Sequence, residues 1–362
     1  MKRILLFVGL SMLVLSLAWG CGPEETPPEE ATPPEEAARP EEETPPEPII
    51  WRFHTPHVEG RIEYSTEQNW CDMVYEATDG RLKVDIYPGG ALGHKDADML
   101  RICGEGAVES FMSYPNYVAR DEPALAMILP AFVLGSQAEF VEIMPFANEL
   151  YAELYGEHNI RVLTEYPSPG CYLGLVSKEP MNTLAQMKGK KIRCWDVSQT
   201  QTLKALGIAG EIIPQADVYL ALQTGILDGA LRGVIALPGS SMDEVTDYFA
   251  IIGIMCNPLG ISCNEDAFQA LPNEVQDIVL KTSKEHEQKW FGEAMDCSID
   301  EEAIDNLREL GMTVLPPFSD EEIKLLTEEG AKVWLKTSEE YGPEVLDYQK
   351  RVQAELERIR GG

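Results

Sequence analysis

The chain has 362 residues, 44% of them hydrophobic, and a formal net charge of −32. That length exceeds one ordinary domain and suits two lobes with their own cores. So acidic a chain lacks the basic face that phosphate binding needs, which excludes nucleic acid as a partner. Residues 1–20 read as an export signal: Lys2 and Arg3, the apolar run Ile4 to Leu17, then the small-residue exit Ala18-Trp19-Gly20 before Cys21. The apolar run is short for a membrane span. From Gly22 to Pro48 the chain is almost wholly Pro, Glu, Thr and Ala, with ten glutamates and Arg39 as its one cation. Nothing there is apolar enough to start a core, so residues 21–48 predict an extended, disordered tether stiffened by proline and glutamate repulsion. Leader and tether set aside, residues 49–362 still carry about −25, as expected of a solvated acidic surface.

The body opens with a strand, Ile49 to Thr55, closed by Pro56. His54 and His57 lie at its carboxyl end, where open α/β sheets bind ligands, and each is a cleft candidate or a structural histidine. Arg61 to Thr78 is an amphipathic helix stopped by Asp79-Gly80. A strand over Leu82 to Tyr87, a helix through Cys103 and a third strand over Ala107 to Ser113 follow, and Tyr114 and Asn116 come at the end of that strand. Leu125 to Phe132 is apolar, Gln137 to Tyr155 is helical despite Pro145, and Ile160 to Tyr166 is a strand. Pro167-Ser-Pro-Gly170 cannot continue a central strand and marks a crossing between lobes. Alternation of strand and helix with glycine turns predicts doubly wound, largely parallel sheets. Gly89 to Gly93 lacks the spacing of a dinucleotide fingerprint.

The second lobe begins at Cys171 to Ser177, and its centre runs from Lys188 to Arg232. Ile192 to Trp195 is a short strand that places Arg193 at or near its end in an apolar setting. A guanidinium there needs an anion, since an unpaired charge out of water costs several kcal/mol or more. Its planar fork suits a ligand carboxylate, and an acid of the protein itself serves equally well. A short helix ends at Leu206-Gly207, Gln215 to Gln223 is another, and Gly225-Ile-Leu-Asp228-Gly229 is a loop entering the strand that carries Arg232. Asp247 to Met255 and Leu259 to Cys263 cross back to the first lobe. Asn273 to Leu310 reads as one long helix, Thr313 to Leu315 as a short strand, and the remainder as helix to Arg360.

Lys188-Gly-Lys-Lys-Ile-Arg193, the apolar helix ending Leu206-Gly207, and Tyr219-Leu-Ala-Leu-Gln-Thr-Gly-Ile-Leu-Asp228-Gly229, in this order and spacing, resemble the solute-binding proteins of tripartite ATP-independent periplasmic (TRAP) transporters. Thr78 to Gly93 and Leu129-Pro-Ala-Phe132 resemble the same family's first lobe, so the likeness spans roughly residues 50 to 310. It implies a two-lobed α/β fold of the periplasmic-binding-protein kind. Each lobe would hold a mixed, mostly parallel sheet flanked by helices: lobe I over 49–169, lobe II over 170–256, a return to lobe I over 257–272, a long lobe-spanning helix over 273–310, and a C-terminal strand and helices over 311–362. It implies an extracytoplasmic receptor, in the periplasm or on the outer face of the cytoplasmic membrane. Such a receptor captures an organic acid between its lobes and delivers it to the small and large membrane subunits, with no cofactor, no metal and no catalysis. Cys21 directly after Gly20 resembles a lipobox cysteine, which is diacylated and holds the protein on a membrane.

The resemblance assigns the ligand carboxylate to Arg193 and places Phe132 as an aromatic facing the cleft. It also exposes departures: Tyr172 stands where many members hold a second arginine, and Arg232 stands where the family has a ligand-contacting asparagine. Arg232 is then a second cleft cation or a paired surface arginine. Tyr172 and Trp195 could stack on an apolar or aromatic part of the ligand, or belong to the core. Asp228, Tyr114 and Asn116 complete the candidate contacts. Seven cysteines follow Cys21, none in a metal-binding spacing, and Cys171 with Cys194 or Cys256 with Cys263 are the candidate pairs. Two other functions stay open: a sensory binding module without a transporter, and an exported enzyme, although none of the five histidines has a recognisable catalytic context.

Overall fold

A computed structural model describes residues 47–361 except 169, 238, 239 and 256. The segments expected to be an export signal and a tether, with Cys21, lie outside the described residues up to residue 46. Strands buried on both faces build two sheets. They are β1 (Ile49–His54), β2 (Leu82–Tyr87), β3 (Ser110–Ser113), β4 (Ile160–Pro167), β5 (Tyr172–Ser177), β6 (Lys191–Cys194), β7 (Ala209–Ile212), β8 (Gly229–Gly233), β9 (Tyr248–Ile254), β10 (Pro258–Asn264) and β11 (Thr313–Val314). The first sheet has the order β2-β1-β3-β10-β4 and the second β11-β9-β5-β8-β6-β7. Both are mixed: β10 and β5 each run antiparallel to both neighbours, and the other pairings are parallel.

Each sheet is covered on both faces, because successive side chains of a strand point to opposite sides. In lobe I, Phe111 joins a core with Phe140 and Tyr151 of the helix Gln137–Glu157, while its neighbour Met112 joins Trp51, Phe53 and Trp70 on the other side. In lobe II, Leu175 packs with Ile192 and Leu203, and Val176 packs with Phe249 and Leu222. Two buried faces explain why these strands read as nearly continuous apolar runs.

The chain crosses between lobes twice on one two-stranded ribbon. Pro167 of β4 pairs with Pro258 of β10, and Tyr172 of β5 pairs with Ile254 of β9. Between them, Ser168 N–H donates to Asn257 O at 2.7 Å and Met255 N–H to Cys171 O at 2.8 Å. A disulfide joins Cys171 to Cys297, and the Asp300 carboxylate accepts from the N–H groups of Cys171 and Tyr172 at 2.7 and 3.4 Å. The pairing expected from sequence is therefore corrected: Cys171 bonds to Cys297, and Cys194 and Cys263 are buried free thiols. Cys256 lies outside the described residues.

The helix expected over 273–310 is two helices, Asn273–Ala294 and Ser298–Glu309. The break falls where Cys297 is tied to the crossing ribbon and where Asp296 accepts the Ser298 N–H at 3.0 Å, starting a new helix. The first piece packs Val275 and Trp290 into lobe I, and the second packs Ala303 and Leu307 into lobe II. A single unbroken helix that touches both lobes lies further on, at Asp320–Tyr341, about 33 Å long at 1.5 Å per residue. Its Leu326 enters a lobe II core and its Trp334 a lobe I core, where Trp334 Nε1 donates to Met127 O at 2.7 Å.

Candidate functional site

Parallel strands β6 and β8 are neighbours in register, Arg193 opposite Ala230. Their carboxyl ends bring Arg193, Trp195 and Arg232 to the same edge of the lobe II sheet, the edge at which open α/β sheets take ligands. From lobe I the facing wall comes from the loop after β1, with His57, Val58 and Arg61, and from the end of β3, with Met112, Tyr114 and Tyr117. Ser168, Met255 and Asn257 of the crossing ribbon close the back. Together they line a cavity of about 410 Å³ that is open to solvent on one side, within the range of small-molecule sites.

Both arginines are buried, Arg193 at 4% and Arg232 at 3% exposure, and among the described residues neither forms an ion pair. Arg193 is fixed by backbone carbonyls: Nε donates to Ile213 O at 3.0 Å and Nη1 to Leu231 O at 3.3 Å, with the guanidinium 5.6 Å from the centre of the Trp195 ring. Arg232 donates from Nη2 to Ala236 O at 3.3 Å, and its Nε and Nη1 are enclosed without a partner. Burial pulls the Arg193 guanidinium below its usual range. Burial first, then the positive charges of Arg193 and Arg61, pull Arg232 down to about 10. Even so, both stay charged near neutral pH.

The acids around them are engaged. Glu63 pairs with Arg61 at 2.8 Å, and although burial opposes its charge, the Arg61 hydrogen bonds hold its carboxyl below the ordinary value. Glu67 pairs with His57 at 2.7 Å. Burial works against the His57 charge, yet the hydrogen bond and charge of Glu67 raise its pKa. Asp196 caps the helix Val197–Ala205 through the Gln199 N–H, and burial pushes its carboxyl up to about 6. Asp196 also belongs to a seam between the lobes. Asn116 Nδ2 donates to Asp196 Oδ2 at 3.3 Å and to Tyr114 Oη at 3.2 Å, and Trp195 Nε1 donates to Tyr114 Oη at 3.2 Å.

Of the residues expected from sequence, Arg193, Trp195, Arg232, His57 and Tyr114 line the cavity, and Asn116 stands behind it in the seam. Four do not reach it. His54 is fully buried, its Nε2 2.9 Å from Asp96 Oδ1. Phe132, in a left-handed turn with φ 65°, packs against the lobe II core. Tyr172 packs into the core that holds Val176 and Leu307 and is not among the residues lining the cavity. Asp228 is at the amino end of β8, away from the cavity, where its Oδ2 accepts the Lys191 N–H at 2.8 Å. Arg61, Glu63, Tyr117, Gln215 and Asn257 line the cavity without having been singled out. Arg61 follows the loop at the carboxyl end of the first strand, and Tyr117 follows Tyr114 and Asn116 at the end of the third, so those strand ends were the sequence signal that could have found them.

Solved structures share this fold, and a family model matches most of the chain. The ectoine-binding periplasmic protein TeaA of Halomonas elongata is 23% identical over 320 residues, 85% of this chain and 92% of that protein. The DctP7 solute receptor of Bordetella pertussis, solved with pyroglutamic acid, superposes with a TM-score of 0.72 at 22% identity, covering 83% of this chain and 99% of its own. A TRAP periplasmic solute-binding protein of Rhodoferax ferrireducens, solved with malonate, gives 0.74 at 21% identity over 86% of this chain and 99% of its own. Residues 54–340 match the family model of the bacterial extracellular solute-binding proteins, family 7, a family of receptors and not of enzymes. A two-lobed body with its cavity at the strand ends between the lobes, matched along four-fifths of its length, belongs to that DctP family of solute-binding proteins.

Proposed function

We propose that this protein captures an organic acid in the cavity between its lobes, holds the acid's carboxylate on Arg193, and passes it unchanged to the small and large membrane subunits of a TRAP transporter. One observation carries the assignment: Arg193 is buried at the cavity wall and, among the described residues, has backbone carbonyls as its hydrogen-bond partners and no carboxylate. Two of its five N–H groups are used, so three remain for a ligand. Charge-assisted bonds of this kind are roughly twice as strong as neutral ones in a poorly hydrated site. Malonate in the Rhodoferax protein and pyroglutamic acid in the Bordetella receptor are acids of the class this chemistry would take. Export on residues 1–20 and acylation of Cys21 would keep the receptor at the outer face of the membrane.

The test is calorimetry with the tightest binder from an organic-acid panel ranked by thermal shift, since a ligand at a hundred times its Kd stabilises by about 2.7 kcal/mol. Arg193→Ala should weaken binding at least tenfold, as truncating one partner of a desolvated charge pair costs about 2 to 5 kcal/mol. Arg193→Lys should recover only part, because a point charge does not reproduce the fork. Wild-type affinity in Arg193→Ala, with an unchanged circular dichroism spectrum, would remove Arg193 from the site. For the anchor, fatty-acid labelling should mark the wild type and not Cys21→Ser, and label on both refutes acylation at Cys21.

A further inference from the structure

Among the described residues the cysteines divide by place. Cys71, Cys103, Cys194 and Cys263 are buried free thiols, each in the core of one lobe. Cys171 and Cys297 stand where the chain passes between lobes, and these two are bonded to each other. Three passages meet at that bond: β4 to β5, β9 to β10, and the junction between the helices Asn273–Ala294 and Ser298–Glu309. Cys171 ties them together. Its carbonyl accepts from Met255 N–H of the second passage at 2.8 Å and from Nε2 of Gln137, at the start of a lobe I helix, at 2.6 Å. Its N–H donates to Asp300 Oδ2 of the third passage at 2.7 Å, and its sulfur is bonded to Cys297 of the same passage. The disulfide is the one covalent tie in this set, and it is the one that thiol chemistry can open and close.

We infer that the Cys171–Cys297 bond is a redox-controlled lock on the hinge. Oxidised, it makes the crossing ribbon and the helix junction a single pivot; reduced, it lets them part, and the lobes turn more freely. The reductant is a dithiol. Cys171 is fully buried and Cys297 only half-buried, so a thiolate of the dithiol meets Cys297 Sγ first. A mixed disulfide forms on Cys297, and the Cys171 sulfur leaves and takes up a proton. The second thiol of the reductant then attacks the reductant's own sulfur in that mixed disulfide, closing a ring and releasing Cys297 as a thiol. Two electrons and two protons pass from the dithiol to the protein. Cys171 keeps its backbone bonds to Asp300, Gln137 and Met255 throughout, so the fold survives while the covalent link between ribbon and helix junction is lost.

Hydrogen exchange read by mass spectrometry tests this on the ligand-free protein, so its failure leaves the acid-binding reading untouched. Millimolar dithiothreitol should open the bond in native buffer: alkylation after denaturation should mark Cys171 and Cys297 in treated protein and neither in untreated. Amides of the ribbon near Ser168, Tyr172 and Met255 should then exchange roughly tenfold or more faster, in reduced wild type and in Cys171→Ser/Cys297→Ser alike. Strands β1 and β6 inside the lobes should keep their protection, reoxidation should restore the slow ribbon, and dithiothreitol should leave the double variant as it was. A bond that yields only in denaturant is a permanent staple and overturns the switch. Ribbon exchange unchanged by reduction removes the bond from the hinge, and equal acceleration throughout both lobes makes it a stabiliser of the whole fold; either result overturns the inference. The reduced wild type is decisive even if the double variant fails to fold.

Discussion

At the scale of single residues, the physics of buried charge separates what could be read early from what could not. Arg193 was visible because a basic residue at the end of a short apolar strand is anomalous in any sequence. Arg232 was visible only as a departure from a family pattern, and its burial came with the fold. Tyr172, Phe132, His54 and Asp228 were beyond reach, because a strand position states its residue and not its face or end. Tyr172 shows this well: it lies on the same face of β5 as Val176, in the core that holds Leu307, and yet does not line the cavity. Asp196 offers a measurement at this scale. Its carboxyl is raised from 3.8 to about 6 by burial, against the pull of the Gln199 and Ser198 N–H groups and Arg193. A folded state that binds the proton more tightly than the unfolded chain loses stability as pH rises from about 4 to about 6, and the loss is complete above that window. At 1.36 kcal/mol per pKa unit the charged carboxylate costs up to about 3 kcal/mol at pH 7. Asp196→Asn keeps an N-cap oxygen and removes the charge. Thermal unfolding should therefore show Asp196→Asn more stable than wild type at pH 7 and close to it at pH 4. A variant less stable at pH 7 would mean that Asp196 acts chiefly as a counter-charge to Arg193.

Among elements, periodicity gave the helices and failed at their interruptions. The stripe of Val275, Val279 and Trp290 continues at helical spacing toward Leu307, so the sequence read one helix through Met295 to Cys297. What stops it is tertiary: the bond from Cys297 to Cys171, 126 residues away in sequence. The same limit applies to the helix Asp320–Tyr341, whose pattern announces an amphipathic helix and says nothing of two lobes. Its reach depends on Gly330, where the helix passes over the loop containing Phe132. A Cβ on Gly330 would lie 2.5 Å from Phe132 O and 2.9 Å from Phe132 Cβ. Gly→Ala inside a helix ordinarily gains about 1 kcal/mol. Here the new methyl meets backbone, which cannot rotate away, and overpacking of that kind costs about 1 to 3 kcal/mol. Gly330→Ala should therefore lower Tm by a few degrees in a thermal melt. A raised Tm would show that the loop yields and that helix propensity wins.

The whole molecule turns on a balance between a weak seam and two cations. Across the cavity the lobes meet through Trp195 Nε1 on Tyr114 Oη and Asn116 Nδ2 on Asp196 Oδ2, both longer than 3.0 Å. Each such bond contributes about 1 kcal/mol net. Closing the lobes also takes Arg193 and Arg232, both on lobe II strands, out of water without counter-ions, and that desolvation opposes the seam. A rotation of one lobe against the other would be absorbed in the few residues of the crossing ribbon near Ser168 and Asn257. The seam across the cavity thus contributes little to closure by itself, and an anionic ligand that binds only the closed arrangement shifts the population toward it by its differential affinity. Small-angle scattering should record a smaller radius of gyration at saturating ligand than without. Trp195→Phe, which loses the Nε1 donor and keeps an aromatic ring, should weaken apparent binding severalfold at most, because it lowers the closed fraction and leaves both arginines in place. If instead the radius is the same with and without ligand, the lobes stay closed on their own, and the cost of burying Arg193 and Arg232 is smaller than the contacts that hold the lobes together.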